Sequence, residues 1–130
     1  DTYFALAKPK RITRLALRYV NRIEIPATAL LSDYIALQPS MPQSLPATLR
    51  GFFLRTILKD NDSPSQAFVI VLTEDANDKT APFILDIDAF QMVDFNENDE
   101  KFWNVFKELR EFKNKIFDES FTPRGLELFI

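Results

Sequence analysis

The chain has no cysteine and no histidine among its 130 residues. Without cysteine it can form no disulfide, offer no thiol nucleophile and give no thiolate to a metal, and with no signal peptide in view this composition fits a reducing, cytoplasmic setting. Without histidine the commonest general base and the commonest transition-metal ligand are both missing, so neither a Ser-His-Asp triad nor a catalytic zinc site can be built from this chain alone. Glycine occurs only as Gly51 and Gly125, too few for a glycine-rich phosphate loop. No apolar run is as long as a membrane span, so no membrane contact is expected. An excess of one charge is lacking too: 16 basic against 19 acidic residues leave a net −3, which provides no field to gather a polyanion and disfavours nucleic acid. These absences leave no catalytic residue, no metal site and no cofactor to expect.

What is present is enough to bury a core. Hydrophobic residues make up 46% of the chain and phenylalanine alone occupies 13 positions, mostly at strand or helix spacing, which favours packing beneath a sheet over an aromatic binding box. The clearest element is the run from Arg14 to Pro26. Read with a period of two, Leu15, Leu17, Tyr19, Ile23 and Ile25 share one face and Arg14, Ala16, Arg18, Val20, Arg22 and Glu24 the other, the signature of a half-buried strand. Residues 1–11 read as a linker or the end of a preceding element. After Pro26, the spacing of Leu30, Leu31, Tyr34 and Leu37 predicts a short helix of about three turns. Pro39, Pro42 and Pro46 then hold the chain extended through a loop.

Three more strands follow. Leu49 to Leu58 is the first, with Gly51 marking a bulge or a close crossing. Ala67 to Thr73 is apolar on both faces, as expected of the middle of a sheet or of a strand beside a partner. Phe83 to Phe90 places Asp86 and Asp88 on one face. Polar turns at 59–65 and 74–80 join them. An acidic stretch with Asn96 or Asn98 as cap leads into a long helix reaching about Phe117, its stripe formed by Phe102, Val105, Phe106, Leu109, Phe112 and Ile116 with Trp103 at its edge. Thr122 and Pro123 cap and open a short terminal turn. The expected class is α+β: one domain in the order β-α-β-β-β-α, a four-stranded antiparallel sheet of order 1-4-3-2 with the long helix packed on one face. That order rests on charge, because it brings Arg18 and Arg22 beside Asp86 and Asp88.

The segments Leu17-Arg-Tyr-Val-Asn-Arg-Ile-Glu-Ile-Pro26, Ile84-Leu-Asp-Ile-Asp-Ala-Phe90 and Leu109-Arg-Glu-Phe-Lys-Asn-Lys-Ile-Phe117 resemble the C-terminal half of a sporadically distributed prokaryotic protein family of unknown function. The resemblance implies a tandem α+β protein roughly twice this length, of which this chain would be the C-terminal part. It brings no catalytic residues with it.

Arg14, Arg18, Asn21, Arg22, Asp86 and Asp88 are the candidate binding residues of the charged face. A row of guanidinium groups can grip oxyanions, but Glu24, Asp86 and Asp88 nearby favour cross-strand ion pairs instead. Two aspartates one strand repeat apart could share a divalent cation only with further oxygen ligands, and adjacent arginines oppose one. The composition therefore points to a non-catalytic protein-interaction or regulatory domain. The alternatives are half of an enzyme or ligand-binding protein completed by an N-terminal domain, and a nucleic-acid platform. The expected partners are the N-terminal half of the full-length chain or, for this piece alone, a second copy covering an apolar sheet face.

Overall fold

The structure, a computed structural model, describes residues 11–47, 49–96 and 100–129. It contains the expected four-stranded antiparallel sheet in the order β1-β4-β3-β2, with β1 at Arg11–Pro26, β2 at Phe53–Lys59, β3 at Gln66–Thr73 and β4 at Thr80–Asn96. The long helix α1, Lys101–Ser120, contacts β4 and β1. The short helix α2, Pro123–Leu126, runs on into a 3-10 turn at Glu127–Phe129.

Alternation decides which side of the sheet is covered. Ile23 and Ile25 of β1, Val69 and Val71 of β3, and Phe83, Leu85 and Ile87 of β4 point to the same side and are buried against Leu109, Phe112 and Ile116 of α1. Leu54 and Leu58 of β2 pack against this same cluster. Leu109 is fully buried, while Trp103, foreseen at the edge of the helical stripe, is 69% exposed. At the far end of α1, Tyr19 meets Phe117 edge to face with ring centroids 5.5 Å apart.

Several expected boundaries move. β1 already begins at Arg11, inside the expected linker, and β4 extends to Asn96, so that the two strands pair from Arg11–Asn96 to Pro26–Thr80 with one irregularity between Ile12 and Arg14. The rest of the expected linker, residues 1–10, lies outside the described residues. The ladder of β2 starts at Phe53 rather than Leu49. Gly51 precedes it at a close crossing: a Cβ there would sit 2.6 Å from the Thr73 hydroxyl oxygen, which accepts a 2.8 Å hydrogen bond from the Phe52 amide. The helix α1 runs to Ser120, and its N-cap position is Glu100 with no side-chain cap bond. Asn96 is the last residue of β4 and Asn98 lies outside the described residues.

The helix expected after Pro26 is a correction. Only Leu31–Asp33 form a 3-10 turn, because the backbone groups that a helix would use are engaged across the fold. The amide of Ala36 donates to Ser120 O at 2.7 Å, the amide of Thr122 donates to Tyr34 O at 3.0 Å, and Ile35 forms an isolated bridge with Phe121. Residues 31–37 are thus a strap bonded to the end of α1, with Tyr34 and Ile35 both buried. The expected cap at Thr122 is present, its hydroxyl accepting from the Gly125 amide at 3.1 Å.

Candidate functional site: the open face of the sheet

Because α1 and the strap lie on one side, the other side of the sheet is left open by the described residues. Strand parity puts Arg14, Arg18, Val20, Arg22 and Glu24 of β1 there, beside Phe90, Asp88, Asp86 and Ile84 of β4, Phe68, Ile70 and Leu72 of β3, and Phe53, Arg55, Ile57 and Lys59 of β2. The face has two chemically different halves.

The β1–β4 half is closed on itself electrostatically. Arg18 stands opposite Asp88 in the ladder but reaches diagonally to Asp86, with Nε to Oδ1 at 3.1 Å and Nη2 to Oδ2 at 2.6 Å. This two-pronged contact and the charge behind it raise the guanidinium pKa above its ordinary value. Arg14 reaches Asp88 at 3.5 Å, the second carboxylate–arginine pair between these strands. Arg22, expected to find Asp86 or Asp88, stands opposite Ile84 and turns instead to Glu74, at 2.9 Å, and to Glu24, at 2.8 Å. Arg11 donates to both carboxylate oxygens of Asp94 through Nε and Nη2 near the other end of the strand pair. That contact holds the Asp94 carboxyl below the usual carboxylate range.

Asn21 is not part of this face. Its odd number puts it with Tyr19 on the helix-covered side, where its amide nitrogen donates to the Tyr19 hydroxyl at 3.0 Å. The structure therefore brings Arg14, Arg18, Arg22, Asp86 and Asp88 together and leaves Asn21 behind the sheet. Among the described residues, no three His, Cys, Asp or Glu side chains converge as metal ligands would.

An apolar half on the middle strands of the uncovered face is expected from the sequence, but which residues of β2 and β3 form it is not. A stack crosses the sheet diagonally and joins the halves. The Arg14 guanidinium lies 4.6 Å above the Phe90 ring, and Phe90 stacks on Phe68 with centroids 5.2 Å apart. On the far side the Arg55 guanidinium lies 4.4 Å from the centre of the Phe68 ring, at a distance where cation–π attraction operates. Beyond it, Phe53 and Ile57 are each 62% exposed. Among the described residues neither Arg55 nor Lys59 has a carboxylate within ion-pair distance. The alternation Phe53, Arg55, Ile57, Lys59 against Leu54, Thr56, Leu58 was the available signal, but the faces could not be told apart without knowing where the helix lay. Leu54 points inward and packs against the core cluster.

One cleft of about 890 Å³ opens at the end of the sheet between Ile25, Leu31, Arg50, Thr73 and Phe83. Its Glu74 is already held by Arg22. No helix of the described residues is long and apolar enough to cross a membrane. Compared with family models, curated proteins and solved structures, the chain matches none.

Proposed function

We propose that this domain is a non-catalytic protein-interaction module whose docking surface is the β2–β3 half of the open face, and that its partner is an acidic protein segment rich in apolar side chains. One observation carries the reading: two large exposed apolar side chains, Phe53 and Ile57, alternate along one strand with two cations, Arg55 and Lys59, that have no carboxylate partners among the described residues. A partner strand or helix that alternates carboxylates with leucine or phenylalanine meets both requirements. Its apolar groups cover Phe53, Ile57, Ile70 and Leu72 while its carboxylates meet the two cations. The β1–β4 half, internally neutralised, acts as a rigid border.

Two other readings are less well supported. A nucleic-acid platform needs free aromatic faces for bases, whereas Phe68 and Phe90 stack on each other and lie under Arg55 and Arg14. Catalysis by Asp86 and Asp88 would need a cleft to exclude water, and both lie on an open face next to arginines.

Selection of a displayed random peptide library on the folded domain tests the proposal. Enriched peptides should be acidic and apolar and should lose binding to the Arg55→Glu and Lys59→Glu variants. Enrichment of sequences without net negative charge, or binding indifferent to both substitutions, would contradict it. Tight binding of a mixed-sequence single-stranded oligonucleotide at physiological salt would favour the nucleic-acid reading instead.

A further inference from the structure

The outer edge of β1 presents a second surface, at the opposite side of the sheet from β2. β1 is 16 residues long and terminates the order β1-β4-β3-β2, so no described strand pairs with its outer side. Even on the helix-covered side Leu15, Leu17 and Tyr19 remain half-buried rather than buried, since nothing in the sheet lies beyond them. Proteins usually blunt such an edge with charged side chains, prolines, bulges or very short strands, and of these β1 has mainly the charges. Here the ladder irregularity is confined to Ile12/Arg14 and the only proline of the strand is its last residue, Pro26, so the stretch between is regular and, among the described residues, no strand takes up its outward backbone groups.

Charge decides what can pair with it. We propose that the occupant is the β1 strand of a second copy of this chain, antiparallel about a two-fold axis at Tyr19. In that register Arg14 of each copy lies opposite Glu24 of the other, giving two new ion pairs. Arg18 faces Val20 and Ala16 faces Arg22. On the covered side Leu15 meets Ile23, Leu17 meets Asn21 and Tyr19 meets its own counterpart. The neighbouring registers that keep the faces matched are both penalised. An axis at Arg18 sets Arg18 against itself and Arg14 against Arg22; an axis at Val20 sets Arg18 against Arg22. Like charges directly opposite one another disfavour a strand pair. An axis at Asn21 pairs Arg18 with Glu24 but leaves Arg14 beyond the ladder. Both groups of the proposed register can reach a second partner: the Arg14 side chain is 43% exposed and holds Asp88 only at 3.5 Å, and the Glu24 side chain, which accepts from Arg22 through Oε1, is 50% exposed. The product is a continuous eight-stranded sheet with self-complementary contacts, the usual form of a two-fold interface. It leaves the β2–β3 surface free on both copies, so this inference and the proposed docking reading can fail separately.

Analytical ultracentrifugation of the 130-residue chain across the micromolar range tests it, with circular dichroism as the folding control. The wild type should form a dimer. Glu24→Arg, which replaces each intersubunit ion pair with two facing guanidinium groups, should weaken association by about tenfold or more. Adding the compensating Arg14→Glu change to the same chain should restore it, and Ile57→Asp on the opposite edge should leave it unchanged. A monomer throughout, an association insensitive to Glu24→Arg, failure of the double variant to recover, or loss with Ile57→Asp alone would each overturn the proposal.

Discussion

The asymmetry of the Arg18–Asp86 contact sets its thermodynamic consequence. The Arg18 side chain is 63% exposed and that of Asp86 only 12%, so deleting the arginine strands a nearly buried carboxylate, whereas neutralising the aspartate leaves a guanidinium that water can solvate. A charge left buried without its partner is the costlier case. Arg18→Met should therefore destabilise the domain more than Asp86→Asn in urea unfolding at neutral pH, and the reverse order would show that Asp86 finds another partner. Arg11–Asp94 makes the matching pH statement. The carboxyl of Asp94 is held below its unfolded value by its hydrogen bond to Arg11, so its contribution is present above the ordinary carboxylate range and is lost as pH falls through the lowered folded value. The stability gap between wild type and Asp94→Asn should be measurable at about pH 7 and shrink progressively as pH falls below the ordinary carboxylate range. A gap that persists in acid would mean that Asp94 acts through something other than its charge.

Among the elements, the strap and the terminal turn show where reading the sequence succeeds and where it stops. Arg14 to Pro26 was legible because strand parity is a property of the segment itself, as was the Thr122–Pro123 cap, whose chemistry is local. Residues 28–37 were not, because their apolar spacing is compatible with a helix and only the distant carbonyl of Ser120 and the Thr122 amide decide otherwise. Asn21, expected on the charged face, belongs with Tyr19 on the covered one, as its odd position in β1 indicates. The outward side of β2 was missed for a different reason: its alternation is plain, but which side is outward depends on where α1 packs. The same strap explains Gly125. A Cβ there would lie 1.9 Å from the Tyr34 carbonyl oxygen, and that backbone is fixed by its bond from Thr122. Gly125→Ala should cost about 1–3 kcal/mol through overpacking, against about 1 kcal/mol for the cap-deleting Thr122→Ala. In the core, Leu109→Ala should cost about 2–5 kcal/mol. Chemical denaturation ranks the three, and a Gly125→Ala protein as stable as wild type would show that the strap is loosely held.

For the molecule as a whole, a sheet covered on one side divides its labour. The covered side carries the folding energy, through Val69, Val71, Leu85 and Ile87 against α1. The open side is fixed near β1 by paired charges and left unsatisfied near β2, where apolar and cationic side chains alternate. If the two sides are separate in this way, docking and stability are independently mutable: Ile57→Asp should abolish partner binding while changing unfolding free energy by no more than about 0.5 kcal/mol, as is usual for exposed positions. Amide chemical-shift mapping tests it most directly, on the isotope-labelled domain titrated with a short synthetic peptide that alternates glutamate and leucine. Shifts should centre on Phe53, Arg55, Ile57, Phe68, Ile70 and Leu72, with none on Arg18, Arg22 or the exposed side of α1. Shifts centred on β1 or α1, with the β2–β3 amides unmoved at saturation, would contradict it.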